Sequence, residues 1–371
     1  MAARIIRQTN KLAILGAPTS AAALAPGSER APAALRAAGL VDRLASLGYE
    51  VADLSDDPVQ ISRPDEESPR ARNLSGVIAA LEALKPRVEV ALKSGALPVI
   101  LSGDCSVALA VVAGVRRYYR GAGIVYIDRD ADLNVPATSA SGCVDGMVVS
   151  HLAGRGASEL VRFWAEPPLV REPEIALFGV DRFDPPEEEA LGRSPIRHYT
   201  ASAIQRMGIG AASKEAFERI HADRQEFVLH FDVDVIDGFT ATNFPGTGGL
   251  SLQQVREALE FFACQPHLAA IEITSYNPER DSDASAANVI IELMASALAA
   301  RRQALAPEAR PAAPASTAKT ESPVDAPASA AAGAAEAPAS AAPGAEASPV
   351  SDSGENHAPN DLLSNSSSGN A

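Results

Sequence analysis

Short apolar runs alternate with amphipathic segments along the first 302 residues of the chain. Runs that are apolar on both faces predict strands covered on two sides, and a 3.6-residue period predicts the covering helices. The predicted strands are Lys11–Ala17, Glu50–Leu54, Leu97–Leu101, Ile124–Asp128, Glu174–Val180, Phe227–Val235 and Ala269–Thr274. The predicted helices are Leu74–Ser94, Ser106–Tyr119, Ser251–Cys264 and Ala284–Arg302. This alternation predicts an α/β fold with three layers, αβα, around a central, mostly parallel sheet.

The composition changes after residue 302, where the apolar pattern stops. Residues 303–371 are rich in Ala, Pro and Ser and contain no Phe, Trp or Tyr. Such a segment buries too little apolar surface to offset the entropy lost on ordering. We therefore predict an α/β domain over residues 1–302 and a disordered, acidic tail over residues 303–371.

Charge and cysteine content narrow the setting in which the protein works. The net charge of −15 argues against nucleic-acid and anionic-membrane partners. The sequence has no run of 18 apolar residues, and its N-terminal residues lack the apolar segment of a signal peptide. Three cysteines, Cys105, Cys143 and Cys264, are too few for a disulfide framework. These features predict a cytoplasmic protein.

Carboxylates follow two of the predicted strands, at the sheet edge where ligands bind in such folds. Asp128, Asp130 and Asp132 stand at the end of one strand, and Asp232 and Asp234 at the end of another. Residues two apart on a strand share a face, so Asp128 with Asp130, and Asp232 with Asp234, would point the same way. Five crowded carboxylates repel one another unless cations lie among them. The pattern predicts a metal site, although a single aspartate in a loop is commonly a cap or turn residue.

A series of motifs resembles the ureohydrolase family, which comprises arginases, agmatinases and formimidoylglutamases. The motifs are LGAPTS at 15–20, APAALRAAGL at 31–40, SGDCS at 102–106, DRDAD at 128–132, FDVDVID at 231–237, GGL at 248–250 and YNPERD at 276–281. Their order and spacing match the family over residues 11–302. The resemblance implies an arginase-like fold and a homo-oligomer, either a trimer or a hexamer.

The resemblance also implies a reaction and its residues. Family members use two bridged Mn²⁺ ions to activate a water that attacks the carbon of a guanidinium or amidine. The family's carboxylate ligands are matched here by Asp128, Asp132, Asp232 and Asp234, of which Asp128 and Asp232 would bridge the ions. Positions that recognise the amino-acid part of the substrate in arginases are matched by Asn134, Ser141 and Asp184. An amino-acid-like small-molecule substrate follows from this match.

Four positions depart from the family pattern. Cys105 and Asp130 replace the two metal-binding histidines, Asp145 replaces the proton-shuttle histidine, and Ser275 replaces the glutamate that meets the guanidinium. A thiolate ligates Mn²⁺ or Zn²⁺ and makes Zn²⁺ or Fe²⁺ more plausible than in ordinary arginases. The other interpretation of Cys105 is a small buried residue. Asp145 near a metal is placed to move protons.

Asp130 makes the charge of the predicted site unusual. If Cys105 and all five aspartates ionise, up to six negative charges face the four positive charges of two divalent ions. Such an excess raises a pKa or requires another cation. Three interpretations stay open: Asp130 is protonated, one ion binds instead of two, or the site is inactive. Arg129 turns away from Asp128 and Asp130 unless the strand has ended before it.

His230 is the histidine that stands nearest to the carboxylate motifs in sequence. It shares a strand face with Asp232 and Asp234, and from that position it could approach the metals. A lone strand histidine is more often a satisfied core residue, and that is the interpretation we favour from the sequence.

Two functions are consistent with these residues. The first is a metal-dependent hydrolase of the C–N bond of a linear guanidino or amidino compound, with Asp145 as proton carrier. Because Ser275 replaces a glutamate, the group cleaved would be a modified one, such as a hydroxyguanidine or a formimino group. The alternative is a catalytically impaired member of the same fold that acts as a binding or regulatory subunit.

Overall fold

The structure is a computed structural model that describes residues 8–119, 121–164, 166–222 and 226–306. Within them, residues 303 and 304 complete the last helix and residues 305 and 306 follow it, and the remainder of the predicted tail, 307–371, lies outside the described residues. In the described part of the chain, no helix combines the length and the apolar character needed to cross a membrane.

The predicted α/β fold is confirmed by one parallel sheet. Its strands are β1 (Lys11–Ala17), β2 (Glu50–Asp56), β3 (Leu97–Ser102), β4 (Ala122–Ile127), β5 (Ile175–Val180), β6 (Arg197–Thr200), β7 (Glu226–Asp232) and β8 (Leu268–Thr274). They lie in the order β2-β1-β3-β8-β7-β4-β5-β6, and every neighbouring pair is parallel. The sequence pattern misses β6, because this four-residue edge strand is mostly exposed and lacks an apolar run.

Helices cover both faces of the sheet and complete the three layers. They are α1 (Ala31–Ala37), α2 (Leu40–Ser46), α3 (Leu74–Lys93), α4 (Ala108–Arg116), α5 (Val148–Leu152), α6 (Ser158–Val161), α7 (Pro185–Gly192), α8 (Ala201–Met207), α9 (Ile209–Ile220), α10 (Leu252–Ala263) and α11 (Ser285–Ala304). Successive strand residues such as Ile124 and Val125 belong to different apolar clusters. One cluster includes residues of α2, α9, α10 and α11, and the other includes residues of α3, α4 and α5. The strands are apolar on both faces for this reason.

The strand order places three chemically active loops at one edge of the sheet. Strands β3 and β4 follow each other in the chain, yet β8 and β7 lie between them. The carboxyl ends of β3, β4 and β7 therefore surround the point where the strand order reverses, which is where ligands bind in open α/β sheets.

Two predicted strand ends are wrong at this edge. Strand β4 ends at Ile127 rather than Asp128, and β7 ends at Asp232 rather than Val235. The carboxylates come together by turns instead of strand alternation. Asp128 Oδ1 accepts a hydrogen bond from the N–H of Asp130 (2.7 Å), and Asp232 Oδ1 accepts one from the N–H of Asp234 (2.8 Å). Such aspartate turns fix the carboxylates to their own backbone.

Candidate metal centre

The loop that carries Cys105 is fixed by Gly103 and Asp104. A Cβ at Gly103 would lie 2.1 Å from the carbonyl oxygen of Thr19, so only glycine fits this approach of two loops. The buried carboxylate of Asp104 accepts hydrogen bonds from the Thr19 hydroxyl (3.0 Å) and from the N–H of Ser106 (3.1 Å). Asp104 thus joins the loops after β1 and β3 and begins a short 3₁₀ turn, Cys105–Val107.

Four buried side chains form what we call the inner group: Cys105, Asp128, His230 and Asp232. One potential ligand atom from each lies within 4.8 Å of those of the other three. Cys105 Sγ lies 3.0 Å from Asp232 Oδ2, and His230 Nε2 lies 4.0 Å from Asp128 Oδ2. Cys105, Asp128 and Asp232 stand at the ends of β3, β4 and β7, and His230 lies within β7, so the strand order itself assembles the group.

His230 is bound on one side and free on the other. Its Nδ1 lies 2.6 Å from Oε1 of Glu272 on β8, and its ring stacks on Tyr126 with 3.8 Å between centroids. The Nε2 atom is buried and has no hydrogen-bond partner among the described residues. The favoured prediction of a satisfied core histidine thus holds for Nδ1 but not for Nε2.

Asp128, Asp130 and Asp234 form a second set of potential metal ligands, which we call the outer group. Arg182 donates hydrogen bonds from Nε and Nη2 to the carboxylate of Asp130, and its Nη2 lies 3.7 Å from Asp234 Oδ2. Buried Arg129, which follows the end of β4, lies 3.3 Å from the same oxygen. The guanidinium groups of Arg129 and Arg182 therefore supply positive charge that would balance the predicted excess of negative charge in the ionised site.

Burial sets the protonation of the cluster. Loss of water raises the pKa of Asp128 well above its usual range, and the nearby charges of Asp232 and Asp132 add to this effect. Burial likewise raises the pKa of the Cys105 thiol. At Asp130 burial raises the carboxyl pKa even though Arg182 opposes the change. The pKa of Arg182 is itself raised, because Asp130 outweighs the effect of burial. The cluster thus favours bound protons or bound cations over free carboxylates.

Asp132 and Asp145 flank the inner group. Asp132 has a positive φ of 51°, uncommon for residues other than glycine, and its Oδ2 accepts a 2.5 Å hydrogen bond from the Tyr126 hydroxyl. Asp145 Oδ1 accepts a hydrogen bond from the N–H of Cys105 at 2.7 Å. Burial, followed by the charge of Asp104, raises the pKa of Asp145 well above its usual range.

A cavity of about 210 Å³ opens above the two groups. The predicted substrate residues Asn134, Ser141 and Asp184 all line it, and Asn134 Nδ2 donates to Asp184 Oδ2 at 2.8 Å. Ser275 lies beside the inner group instead, 3.5 Å from Cys105 Sγ. It is nearly buried and donates a hydrogen bond to Asp232 Oδ2, and it is not one of the cavity-lining residues in the described chain. The structure thus brings three of the four predicted substrate residues to one cavity.

The sequence analysis misses several residues that shape the site. Arg182 and Phe244 line the cavity, and the Arg182 guanidinium lies 5.7 Å from the centre of the Phe244 ring. Tyr126 and Glu272 support the inner group from within β4 and β8. Glu272 gives one sequence signal, because a charged residue in the apolar run LAAIEIT needs a buried partner.

The donor atoms fit a divalent cation. Beside the unpaired Nε2 of His230, the buried Oδ1 of Asp234 also has no hydrogen-bond partner among the described residues. Buried polar atoms are normally paired, so two unpaired acceptor atoms on residues of the inner and outer groups fit a bound cation. Carboxylate, imidazole and thiolate are all common ligands of first-row divalent metals.

Comparison with known proteins gives one consistent result. The sequence model described as "Arginase family" matches residues 10–300. The arginase of Bacillus caldovelox is 29% identical over 289 residues, which cover 77% of this chain and 97% of that protein. The native structure of that enzyme superposes with a TM-score of 0.73 at 28% identity and covers 78% of this chain and 98% of the other. Formimidoylglutamase from Bacillus subtilis shares the fold, with a TM-score of 0.64 at 18% identity over 81% of this chain and 89% of the other.

Proposed function

The chain belongs to the arginase family, and on that premise we propose that it hydrolyses a C–N bond of a linear guanidino or amidino compound with an amino-acid-like part. One observation supports this most strongly. A single cavity is lined both by buried carboxylates, one of which has an unpaired oxygen, and by the polar residues Asn134, Ser141 and Asp184.

We propose that the carboxylates of this cavity hold divalent ions, with Asp128 common to the inner and outer groups. The family implies two Mn²⁺ ions, and the thiol of Cys105 also admits Zn²⁺ or Fe²⁺. When bound, such an ion lowers the pKa of water and stabilises negative charge that develops on the reacting atoms. With six acids ionised, two ions and the guanidinium groups of Arg129 and Arg182 would bring the net charge to zero.

Asp145 is the residue we propose as proton carrier. Its carboxylate lies at the cavity wall, and its hydrogen bond to the N–H of Cys105 fixes one oxygen. Because burial raises its pKa, the carboxyl is held closer to neutrality than a free aspartate. In this role it takes a proton from the attacking water and delivers it to the departing nitrogen.

The cavity wall sets the proposed substrate class. Asn134 and Asp184 present an amide and a carboxylate, groups that suit the α-amino and α-carboxylate ends of an amino acid. Ser275 has no carboxylate that could pair with a plain guanidinium, and its hydroxyl already donates a hydrogen bond to Asp232. A hydroxyguanidine or formimino group, which carries less positive charge, is therefore the group that we propose is cleaved.

A second candidate is a non-catalytic binding or regulatory subunit. The observation in its favour is the pairing of Arg182 with Asp130 at the position of a family metal ligand. The substitution Asp130→His separates the two candidates. A large gain of metal affinity or hydrolysis would mark the natural site as degraded, whereas a loss would show that the Asp130 carboxylate has its own role.

A substrate panel tests the proposed function. The full-length protein, loaded separately with Mn²⁺, Zn²⁺ and Fe²⁺, is incubated with guanidino, hydroxyguanidino and formimino amino acids and with agmatine. We expect release of urea, hydroxyurea, formamide or ammonia from an amino-acid-like member, and none from Asp128→Asn. Absence of product with every metal and every compound would refute the hydrolase.

We also propose, from the family, that the chain forms a trimer or hexamer and, from its cysteine content, that it acts in the cytoplasm. Light scattering on the purified full-length protein measures the first property. A monomer at micromolar concentration would contradict it.

A further inference from the structure

We propose that His230 is a metal ligand through Nε2, with Glu272 as its positioning residue, so that the inner group forms a site for a borderline-soft ion such as Zn²⁺. The proposal concerns the same cavity as the proposed function and rests on it for the presence of a metal. Its test, however, measures metal binding and does not depend on hydrolysis.

The surroundings of His230 select one tautomer of the ring. A carboxylate at 2.6 Å from Nδ1 favours the proton on that nitrogen, which leaves the Nε2 lone pair free. The parallel stack on Tyr126 holds the ring plane, and the Tyr126 hydroxyl is itself fixed by Asp132. A carboxylate that orients an imidazole in this way is a common support of metal-ligating histidines.

The position of Nε2 separates this role from that of a core histidine. The side chain is fully buried, so water cannot satisfy the nitrogen, and Asp128 Oδ2 at 4.0 Å is too distant for a hydrogen bond. Leaving such an atom unpaired is unfavourable, because no hydrogen bond replaces the water that it loses on burial. An ion held between Nε2 and the carboxylates of Asp128 and Asp232 would remove this cost.

The donor set points to the type of ion. The inner group offers one sulfur, one nitrogen and two carboxylate ligands, a four-donor set that suits tetrahedral Zn²⁺. Zinc–ligand bonds of about 2.0–2.3 Å place tetrahedral donors about 3.5 Å apart. The four donor atoms lie within 4.8 Å of one another, so the side chains would have to close by at most about 1.3 Å to hold such an ion. In the described structure an imidazole from inside β7 thus reaches the cluster where Cys105 and Asp130 have replaced the histidines of the family pattern.

Cobalt(II) tests the site directly, because a tetrahedral Co²⁺ site with a thiolate ligand has strong visible and near-ultraviolet absorption. Apo full-length protein is titrated with Co²⁺ and then with Zn²⁺ in competition. We expect one tight site with a thiolate-to-cobalt band and displacement by Zn²⁺ in preference to Mn²⁺. His230→Asn should weaken Zn²⁺ binding by more than roughly 100-fold, and Glu272→Gln by about 10–100-fold, the range typical of supporting residues.

Matched variants and a second measurement keep the result interpretable. His198→Asn, on edge strand β6, and Cys264→Ser should leave the spectrum unchanged, while Cys105→Ser should remove the thiolate band.

If His230→Asn fails to fold, X-ray absorption of the Zn²⁺-loaded natural protein decides, because imidazole and sulfur ligands scatter the photoelectron differently. A site with oxygen ligands only, or an unchanged affinity in folded His230→Asn, would overturn the proposal. Hydrolysis with Mn²⁺ that persists in His230→Asn would leave the proposed function intact.

Discussion

Arg182 donates two hydrogen bonds to the carboxylate of Asp130, from the end of one strand to the end of its neighbour. The backbones of the two residues also pair as a parallel bridge, although 52 positions separate them. The contact neutralises the aspartate that replaces a family histidine, and it places a guanidinium beside the outer group. The outer carboxylates are thus partly compensated before any ion binds.

We predict that Arg182→Met strengthens ion binding at the outer group. Removing a positive charge beside Asp130 and Asp234 should tighten Mn²⁺ binding there by about tenfold or more, since a unit charge a few ångströms away contributes a few kcal/mol at a protein surface. Isothermal titration of the apo protein with Mn²⁺ measures the change. Arg193→Met, at an exposed arginine just beyond α7, is the matched control. An unchanged Mn²⁺ affinity would contradict the prediction and show that the charge of Arg182 does not oppose ion binding.

Asp145→Asn should separate catalysis from metal binding. The amide oxygen can still accept the hydrogen bond from the N–H of Cys105, so the loop and the metal content should be retained. The variant loses the proton carrier, and kcat should fall by about 10²–10⁴-fold. Steady-state kinetics and elemental analysis on the same sample measure both effects. Full activity in Asp145→Asn would assign the proton transfer to another group.

Asp184→Asn should affect recognition more than chemistry. Asparagine also serves well as the N-cap residue that precedes helix α7, so the melting temperature should stay within a few degrees. Loss of the carboxylate removes a charge partner for an α-amino group, so KM should rise about tenfold with kcat nearly unchanged. The effect should vanish for a substrate analogue without the amino group. An equal rise for both compounds would place the amino group elsewhere.

His151 makes stability depend on pH away from the metal centre. Burial lowers its pKa to about 4, and its Nε2 accepts a hydrogen bond from the N–H of Ala157 at 3.0 Å. In the unfolded chain the pKa is near 6.5, so the unfolded state takes up the proton first as the pH falls. Stability is therefore lost progressively between about pH 6.5 and pH 4, by about 2 kcal/mol at pH 5.

His151→Gln removes this titration while keeping a hydrogen-bond acceptor. Urea unfolding at pH 7.5 measures the intrinsic cost of the substitution, and unfolding at pH 5 should show a drop about 2 kcal/mol smaller than in the natural protein. Equal drops in the two proteins would mean that His151 does not titrate as its burial indicates.

The sequence predicts the sheet well because its strands are apolar on both faces, as in β3 and β4. It also predicts the carboxylates, since parallel strands end at a common edge. The contact between Arg182 and Asp130 could not be predicted in this way, because it depends on β4 and β5 lying side by side in the sheet. The same holds for His230. Its spacing from Asp232 is visible in the sequence, but the unpaired Nε2 depends on where β8 places Glu272.

The metal content of the purified full-length protein tests the central claim most directly. The protein is loaded separately with Mn²⁺, Zn²⁺ and Fe²⁺, dialysed, and measured by elemental analysis beside Asp128→Asn, which lacks the carboxylate common to both groups. The account predicts one or two tightly held ions per chain in the natural protein and a clear loss of ions in the variant. No retained ion with any of the three metals would contradict it.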